Sequence, residues 1–392
     1  MAVPVITPLQ LKDDFGLSAK LTEPLAQPWF DQASFEKTVA AMQSDVAIRR
    51  ETLAVFLVLL QHWHTMLVGP PGTGKTMLVE RAAELWNVKL LRVTPSMDWT
   101  AFHAIGGKAP KGGSFAPYDG VVTSAILDCC RTVIEREATG QGPQATWLLI
   151  DEINRCEVDR VFSALLTTLG SRLKPQALDL SYRDEPTKKR LTLPPRFRII
   201  ATANLSDSQF IEQMSQAFTR RFQRIELRTP DPPPLDSPID QFSSNPAAEP
   251  NDFMQELSVV QKSVADAGFP SMNLAVERIA QLALIVRYAL SWSGFGSVPA
   301  REDPLFDTVA IGTAQFVDAL LLAGELEQSP AGLTLEEAVD VAIARTIAPQ
   351  LGRVGPESLK GMRVALNRLD ILPRVDVELA TLIARSESGS YF

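Results

Sequence analysis

The stretch MLVGPPGTGKTML, residues 66–78, contains the pattern Gly-x-x-x-x-Gly-Lys-Thr between an apolar run and a helix-forming segment. This context is typical of a loop that joins a strand to a helix and wraps a polyphosphate with its backbone N–H groups. Lys75 is predicted to pair with the β- and γ-phosphates and Thr76 to ligate Mg²⁺. A glycine-rich turn without a ligand is the alternative. The predicted nucleotide-binding residues are Gly69, Pro70, Pro71, Gly72, Thr73, Gly74, Lys75, Thr76, Met77 and Asp151.

A second stretch, TWLLIDEINR at residues 146–155, places Asp151 and Glu152 directly after an apolar strand. Burying an unpaired carboxylate is costly, and a nearby magnesium–nucleotide pair would make an ionised Asp151 tolerable. We therefore expect Asp151 to hold Mg²⁺ and Glu152 to orient and deprotonate the attacking water. The alternative is a solvated turn after a buried strand.

Two further segments add polar groups to the predicted site. The strand FRIIATAN, residues 197–204, ends in Asn204, whose amide is predicted to hydrogen-bond the water and the γ-phosphate unless it only caps a turn. The segment MSQAFTRRFQRIEL, residues 214–227, places Arg220 and Arg221 near a helix end. An arginine that reaches a neighbouring subunit would stabilise the transition state, which requires an oligomer. The alternative is a solvated helix end.

The length and composition indicate a globular protein of two or three domains, because 392 residues with 45% hydrophobic and 21% charged side chains exceed one ordinary domain. The net charge of 38 − 46 = −8 disfavours general attraction to nucleic acid and restricts any such contact to a local patch. The longest apolar run, 53–60, is too short to span a bilayer, and three cysteines form no paired framework. We expect a cytoplasmic protein without membrane contact.

The order of patterns along the chain predicts four parts: an extended arm over 1–32, an α/β core with leading helices over 33–229, a proline-rich linker over 230–250 and a helical domain over 251–392. Apolar strands alternate with amphipathic segments in the core, which predicts a parallel sheet flanked by helices. The predicted strands lie near 64–68, 88–93, 147–150, 197–202 and 224–228.

The motif order resembles that of the AAA+ ATPases over about residues 45–229. The segments SMDWTAFHAIGGKAPKGGSFAPYDGVV (96–122), IDEINRCEVDRVFSALLTTL (150–169) and LTLPPRFRIIATAN (191–204) are similar to the McrB-type, dynein-related and MoxR-like subgroup. The resemblance implies a phosphate-loop NTPase core with a C-terminal helical lid. It also implies a ring, usually a hexamer, with nucleotide between subunits. It assigns the roles above to Lys75, Thr76, Asp151, Glu152 and Asn204. It assigns the arginine finger, the arginine that reaches the neighbouring subunit's nucleotide, to Arg221, with Arg220 as the alternative.

The chain departs from the subgroup in the residues on either side of Asn204. McrB-type proteins read Met-Asn-Thr-Ala-Asp at the sensor strand and use GTP, whereas this chain reads Ala-Asn-Leu-Ser-Asp at 203–207. We expect ATP, with GTP as the alternative. The lid's sensor arginine is either Arg353 or Arg363.

Three functions share these residues. The leading hypothesis is a ring motor that remodels or moves along a substrate held by a partner subunit, in a McrBC-like defence system. The second is a MoxR-like chaperone that inserts metals into, or remodels, a protein client. The third is an assembly switch timed by hydrolysis. The loop GGKAPKGGSF, 106–115, either projects Lys108, Lys111 or Phe115 toward a pore or partner or is an ordinary surface loop.

Overall fold

A computed structural model describes residues 23–169, 177–184, 190–204, 214–228, 252–269, 273–291, 311–330 and 332–387. Contacts divide the chain into two compact units. The first comprises Met1–Thr38, Glu51–Val68 and Lys75–Glu226, and the second comprises Val39–Arg50, Gly69–Gly74 and Leu227–Phe392. The predicted linker at 230–250 and most of the predicted arm lie outside the described residues, so those domain boundaries stay a prediction.

The chain up to residue 228 alternates helices and strands as the sequence predicts. In chain order the elements are α1 Gln32–Gln43, α2 Arg50–Leu60, β1 Thr65–Gly69, α3 Lys75–Leu85, β2 Lys89–Val93, α4 Ala101–Ala104, β3 Gly106–Lys111, β4 Ser114–Asp119, α5 Val121–Thr139, β5 Thr146–Ile150, a 3₁₀ turn Ile153–Arg155, α6 Val158–Thr168, β6 Leu178–Asp179, β7 Arg190–Leu191, β8 Arg198–Asn204, α7 Gln216–Thr219 and β9 Gln223–Glu226.

Five of these strands form a parallel sheet in the order β2-β5-β8-β1-β9. Every residue of β1 and β5 is buried, because a parallel sheet covered by helices on both faces hides its central strands completely. The five predicted strands therefore coincide with the five strands of this sheet. The predicted α/β fold, a parallel sheet flanked by helices, is confirmed.

The register of the sheet decides which side chains meet at its carboxyl edge. In β5, Leu149 lies opposite Arg92 of β2 and opposite Ile200 of β8. One step beyond the strand, the N–H of Asp151 donates to the carbonyl of Val93 at 2.8 Å. Since β8 lies between β5 and β1, the carboxyl ends of these three strands are neighbours, which is where ligands of such sheets bind.

Among the described residues, two antiparallel strand pairs lie outside this sheet, and their strands were not among the five predicted. The segment predicted as a pore-facing or surface loop is the hairpin β3–β4, whose two-residue turn has positive φ at Gly112 (58°) and Gly113 (84°). At its base, Tyr118 stacks on Phe102 with ring centroids 5.0 Å apart. The second hairpin is β6–β7.

The second unit is helical, as predicted for the C-terminal part of the chain. Its described helices are α8 Asp252–Asp266, α9 Asn273–Ser291, α10 Thr313–Gln328, α11 Leu335–Thr346, a 3₁₀ segment Ala348–Arg353, α12 Pro356–Leu369 and α13 Pro373–Glu387. Apolar side chains from all six α-helices share one core. The start of α13 is fixed by Asp340, whose carboxylate accepts the N–H groups of Arg374 and Val375.

Across the described part of the chain, no helix is both long and apolar enough to cross a bilayer.

Candidate active site

The loop between β1 and α3 has the backbone conformation that its glycines allow. Gly72 and Gly74 have φ of 75° and 77°, a region that costs other residues about 1–2 kcal/mol. The hydroxyl of Thr73 donates to the carbonyl of Pro70 at 2.9 Å and fixes the loop internally. Helix α3 then begins at Lys75, so its N-terminal N–H groups follow the loop directly. This loop-to-helix junction is the geometry that binds phosphate groups.

Lys75 is a buried cation, with 7% of its surface exposed. Burial lowers the pKa of its ammonium group to about 8, although the charges of Asp151 and Glu152 act in the opposite direction. The ammonium therefore lies within electrostatic reach of both predicted acids. A triphosphate would add negative charge at this point and further favour the protonated form of Lys75.

Asp151 and Thr76 bring two oxygen ligands together. The Thr76 hydroxyl donates to Oδ1 of Asp151 at 3.2 Å, and Asp151 is 7% exposed. A hydroxyl and a carboxylate are hard oxygen donors of the kind that Mg²⁺ prefers. The residues present thus fit the predicted magnesium site, in which Thr76 and Asp151 would be the protein ligands.

Glu152 and Asn204 also meet. Nδ2 of Asn204 donates to Oε1 of Glu152 at 3.1 Å, and the N–H of Asn204 reaches Oδ1 of Asn154 at 3.4 Å. Glu152 has φ 55° and ψ 52°, a left-handed conformation that turns its side chain out of the strand direction of β5. Such backbone outliers concentrate at functional sites. The structure therefore places the predicted base next to the predicted sensor, and their roles stay predictions.

The comparisons with known proteins agree with this arrangement. Residues 64–222 match the family described as the AAA domain of the dynein-related subfamily. This part of the chain is an AAA domain. The search of curated proteins found no match. The matched segment contains the phosphate loop, both acids, Asn204 and both candidate finger arginines, so the AAA domain carries every predicted catalytic residue.

Thr202 is a site residue that sequence reasoning missed. It is completely buried on β8, donates to Oδ1 of Asp151 at 2.6 Å and accepts the N–H of Glu152 at 2.9 Å. One hydroxyl therefore fixes both acids of the AAA domain. The available signal was a hydroxyl inside the otherwise apolar run Ile-Ile-Ala-Thr-Ala, residues 199–203.

Two arginines bind the acids directly, and neither was predicted to do so. Nη2 of Arg92 lies 2.5 Å from Oδ2 of Asp151, and Arg155 forms an ion pair with Glu152. Asp151 therefore receives Thr76, Thr202 and Arg92 together. The sequence-based explanation, in which magnesium and nucleotide alone make a buried Asp151 tolerable, is incomplete because the protein supplies compensating groups of its own.

The candidate finger arginines lie at the end of α7. Nε of Arg221 donates to the carbonyl of Leu166 at 3.1 Å, whereas Arg220 is exposed and reaches Gln216 at 3.2 Å. These contacts leave the finger assignment a prediction about a neighbouring subunit. In the helical unit, Arg363 forms a bidentate ion pair with Asp376, at 2.7 and 2.9 Å. The side chain of the other sensor candidate, Arg353, lies outside the described residues.

The predicted loop residue Met77 is exposed on the first turn of α3, while Thr73 is buried. The three cysteines are all buried and free, and burial raises the pKa of each thiol, with Cys156 at about 11. Among the residues that the structure describes, no group of three or more His, Cys, Asp or Glu side chains is arranged to hold a metal.

Proposed function

We propose that the protein is an ATP-hydrolysing motor, with GTP as the alternative nucleotide, that assembles as a ring of six subunits. The proposal rests on one observation, a chain of hydrogen bonds at one edge of the sheet. Thr76 binds Asp151, the hydroxyl of Thr202 links Asp151 to the N–H of Glu152, and the carboxylate of Glu152 accepts the amide of Asn204. AAA domains bind and hydrolyse nucleoside triphosphates and generally assemble as rings.

The residues divide the chemistry as follows. The phosphate loop and Lys75 hold the β- and γ-phosphates, and Thr76 and Asp151 hold Mg²⁺, which neutralises charge on the phosphate oxygens. Glu152 accepts a proton from water as its oxygen attacks the γ-phosphorus and the bond to the β-phosphate oxygen breaks. Asn204 orients that water and Glu152 by hydrogen bonds.

A second subunit supplies the remaining charge. Arg221, or Arg220 in its place, stabilises the transition state of the neighbouring subunit's nucleotide. Exposure favours Arg220 as the group that reaches outward, whereas the subgroup resemblance favours Arg221. Comparing the two alanine variants decides between them.

Hydrolysis is proposed to remodel or translocate a substrate together with a partner protein, as in a McrBC-like defence system. The hairpin β3–β4 offers a surface for such a partner, because Phe115 is 68% exposed at its tip. The net charge of −8 disfavours direct nucleic-acid contact and keeps a MoxR-like chaperone acting on a protein client as the second candidate. Three free, buried thiols support a cytoplasmic location.

The variant Glu152→Gln tests the catalytic assignment. We expect it to bind nucleotide and assemble but to lose turnover, because an amide cannot accept the proton. The matched control is Glu157→Gln, which removes a nearby acid that is exposed and paired with Arg160. Phosphate release at the wild-type rate by Glu152→Gln, or equal losses in both variants, would refute the assignment.

The variant Glu152→Gln, which should hold nucleotide without hydrolysing it, also identifies the substrate class. Affinity purification of Glu152→Gln with nucleotide bound should retain what the ring acts on. Recovery of a nuclease with DNA supports the defence motor, and recovery of a folded protein client supports the chaperone. Turnover that no DNA, RNA or protein alters supports the assembly switch instead. Sedimentation with and without nucleotide measures the number of subunits.

A further inference from the structure

A second cation lies beside the predicted metal ligand. Arg92, the fourth residue of β2, places Nη2 2.5 Å from Oδ2 of Asp151 and Nη1 3.6 Å from Oε1 of Glu80. Oδ1 of Asp151, in contrast, takes the two threonine hydroxyls. The two oxygens of one carboxylate therefore have different partners: hydroxyls on one and a full positive charge on the other.

We propose that Arg92 sets the divalent-cation affinity of this site, so that Mg²⁺ binds together with nucleotide and not to the protein alone. This inference rests on the proposed nucleotide-hydrolysing function. Arg92 already compensates the charge of Asp151, and a divalent cation on the same carboxylate would be repelled by the guanidinium. A nucleoside triphosphate brings several further negative charges, which outweigh that repulsion. Arg92 is thus a positioning residue that acts through Asp151.

The charges around the carboxylate support this assignment. Lys75, which is buried whereas Arg92 is half exposed, is another cation within electrostatic reach of Asp151. Glu152, the other nearby acid, is paired with Arg155. Cations therefore offset both acids before any ligand is considered, so the protein groups alone offer a divalent cation little net attraction.

Glu80 determines how strongly Arg92 acts. It lies on α3, one helical turn after Thr76, so both side chains lie on the same side of that helix. Glu80 and Asp151 share the one guanidinium. Of these two carboxylates, removing that of Glu80 would leave only Asp151 in contact with Arg92. The proposal therefore predicts opposite effects: Arg92→Gln strengthens cation binding, and Glu80→Gln weakens it.

The experiment titrates Mn²⁺, as a probe for Mg²⁺, into the nucleotide-free and the ADP-loaded full chain and counts free Mn²⁺ by electron paramagnetic resonance. With half of the Arg92 side chain exposed to solvent, we expect Arg92→Gln to bind Mn²⁺ roughly tenfold more tightly than the wild type without nucleotide. Arg92→Lys should retain most of the wild-type affinity, because it keeps the charge. The matched control is Arg81→Gln, which removes an arginine of α3, the helix that carries Glu80, and this arginine pairs with exposed Glu84.

A double-mutant cycle separates the proposed route from a general charge effect. If Glu80 acts through Arg92, Glu80→Gln should weaken Mn²⁺ binding in the wild type and have a smaller effect in the Arg92→Gln background. Equal Mn²⁺ binding by wild type and Arg92→Gln, including no detectable binding by either, overturns the proposal. So does an equal gain in Arg81→Gln. Turnover that is lost in Glu152→Gln while Mn²⁺ binding is unchanged in Arg92→Gln refutes only this inference and leaves the proposed function standing.

Discussion

Replacing Thr202 by valine should uncouple the two acids from the sheet without changing the volume of the core. Valine fills the same space, so the substitution leaves no cavity. It removes the donor to Oδ1 of Asp151, at 2.6 Å, and the acceptor for the N–H of Glu152, at 2.9 Å. Both bonds are sheltered from water because Thr202 is completely buried.

The expected loss follows from these two bonds. A hydrogen bond to a charged group contributes about 1.5–3 kcal/mol, and a buried N–H left without an acceptor costs about 1–3 kcal/mol. We expect Thr202→Val to lower the free energy of unfolding by about 3–5 kcal/mol. For a domain of this size, that corresponds to a fall in melting temperature of roughly 6–20 °C. The turnover number should fall as well, because Glu152 loses the contact that fixes its backbone.

Thermal unfolding of the full chain, followed by circular dichroism, measures the effect. Thr65→Val is the matched control: Thr65 is equally buried on the neighbouring strand β1, and its hydroxyl makes a long 3.4 Å contact with the carbonyl of Trp63. This control should lose at most about 1 kcal/mol. Thr202→Ser keeps the hydroxyl and should lose about 1 kcal/mol for the missing methyl group. Equal melting temperatures for Thr202→Val and Thr65→Val would show that the hydroxyl of Thr202 does not hold the site.

Nucleotide affinity should fall as pH rises through about 8, because the buried ammonium of Lys75 loses the proton that makes it attract phosphate. Calorimetry in two buffers of different ionisation enthalpy should show proton uptake on nucleotide binding near that pH. A nucleotide affinity that does not change with pH would contradict this role of Lys75. The thiol of Cys129 should resist alkylation until the protein unfolds, since burial raises its pKa to about 12. Rapid alkylation of the native protein, detected by mass spectrometry, would contradict the buried position of Cys129. Arg221→Ala should abolish turnover while nucleotide binding persists. Mixing it with Glu152→Gln should restore some activity, at interfaces where one subunit supplies Arg221 and the other supplies Glu152. Loss of turnover in Arg220→Ala alone would transfer the finger role to Arg220.

The sheet could be predicted from the sequence because its strands are buried on both faces. Such strands are largely apolar: TWLLI contains one polar residue and RIIATA two, and the structure confirms the position of both to within one or two residues. The polar residues that follow these runs then fall at one edge without further information. This is why the sequence alone predicts that Asp151, Glu152 and Asn204 lie near one another.

The hairpin β3–β4 could not be predicted in this way. Its strands, GGKAPK and SFAPYD, contain glycine, proline and lysine and have low strand propensity. Contacts from distant residues contribute to its base: Tyr182 donates to Asp119 at 2.8 Å, and Arg183 pairs with the same carboxylate. These residues are more than 60 positions from Asp119, so a local reading of the sequence does not reveal the pairing.

The same limit applies to the residues that support the acids. Arg92 and Thr202 lie 59 and 51 positions from Asp151, and neither belongs to a motif with a recognisable spacing. Their contacts depend on strand order, because β5 lies between β2 and β8. A sequence pattern identifies the groups that do the chemistry, whereas the groups that hold them emerge only once the order of the strands is known.

The buried carboxylate of Asp151 shows why this difference matters for mechanism. If magnesium and nucleotide were its only compensation, the carboxylate would have to be rearranged or neutralised whenever nucleotide leaves, and each cycle would begin by rebuilding the site. In the structure, two hydroxyls fix Oδ1 and one guanidinium fixes Oδ2, so the orientation of the carboxylate is set by side chains of two strands and of α3. Such preorganisation lowers the reorganisation needed at the moment of reaction. Under the proposed function, a substitution at Arg92 or Thr202 would therefore alter catalysis through the position of Asp151, without touching the nucleotide.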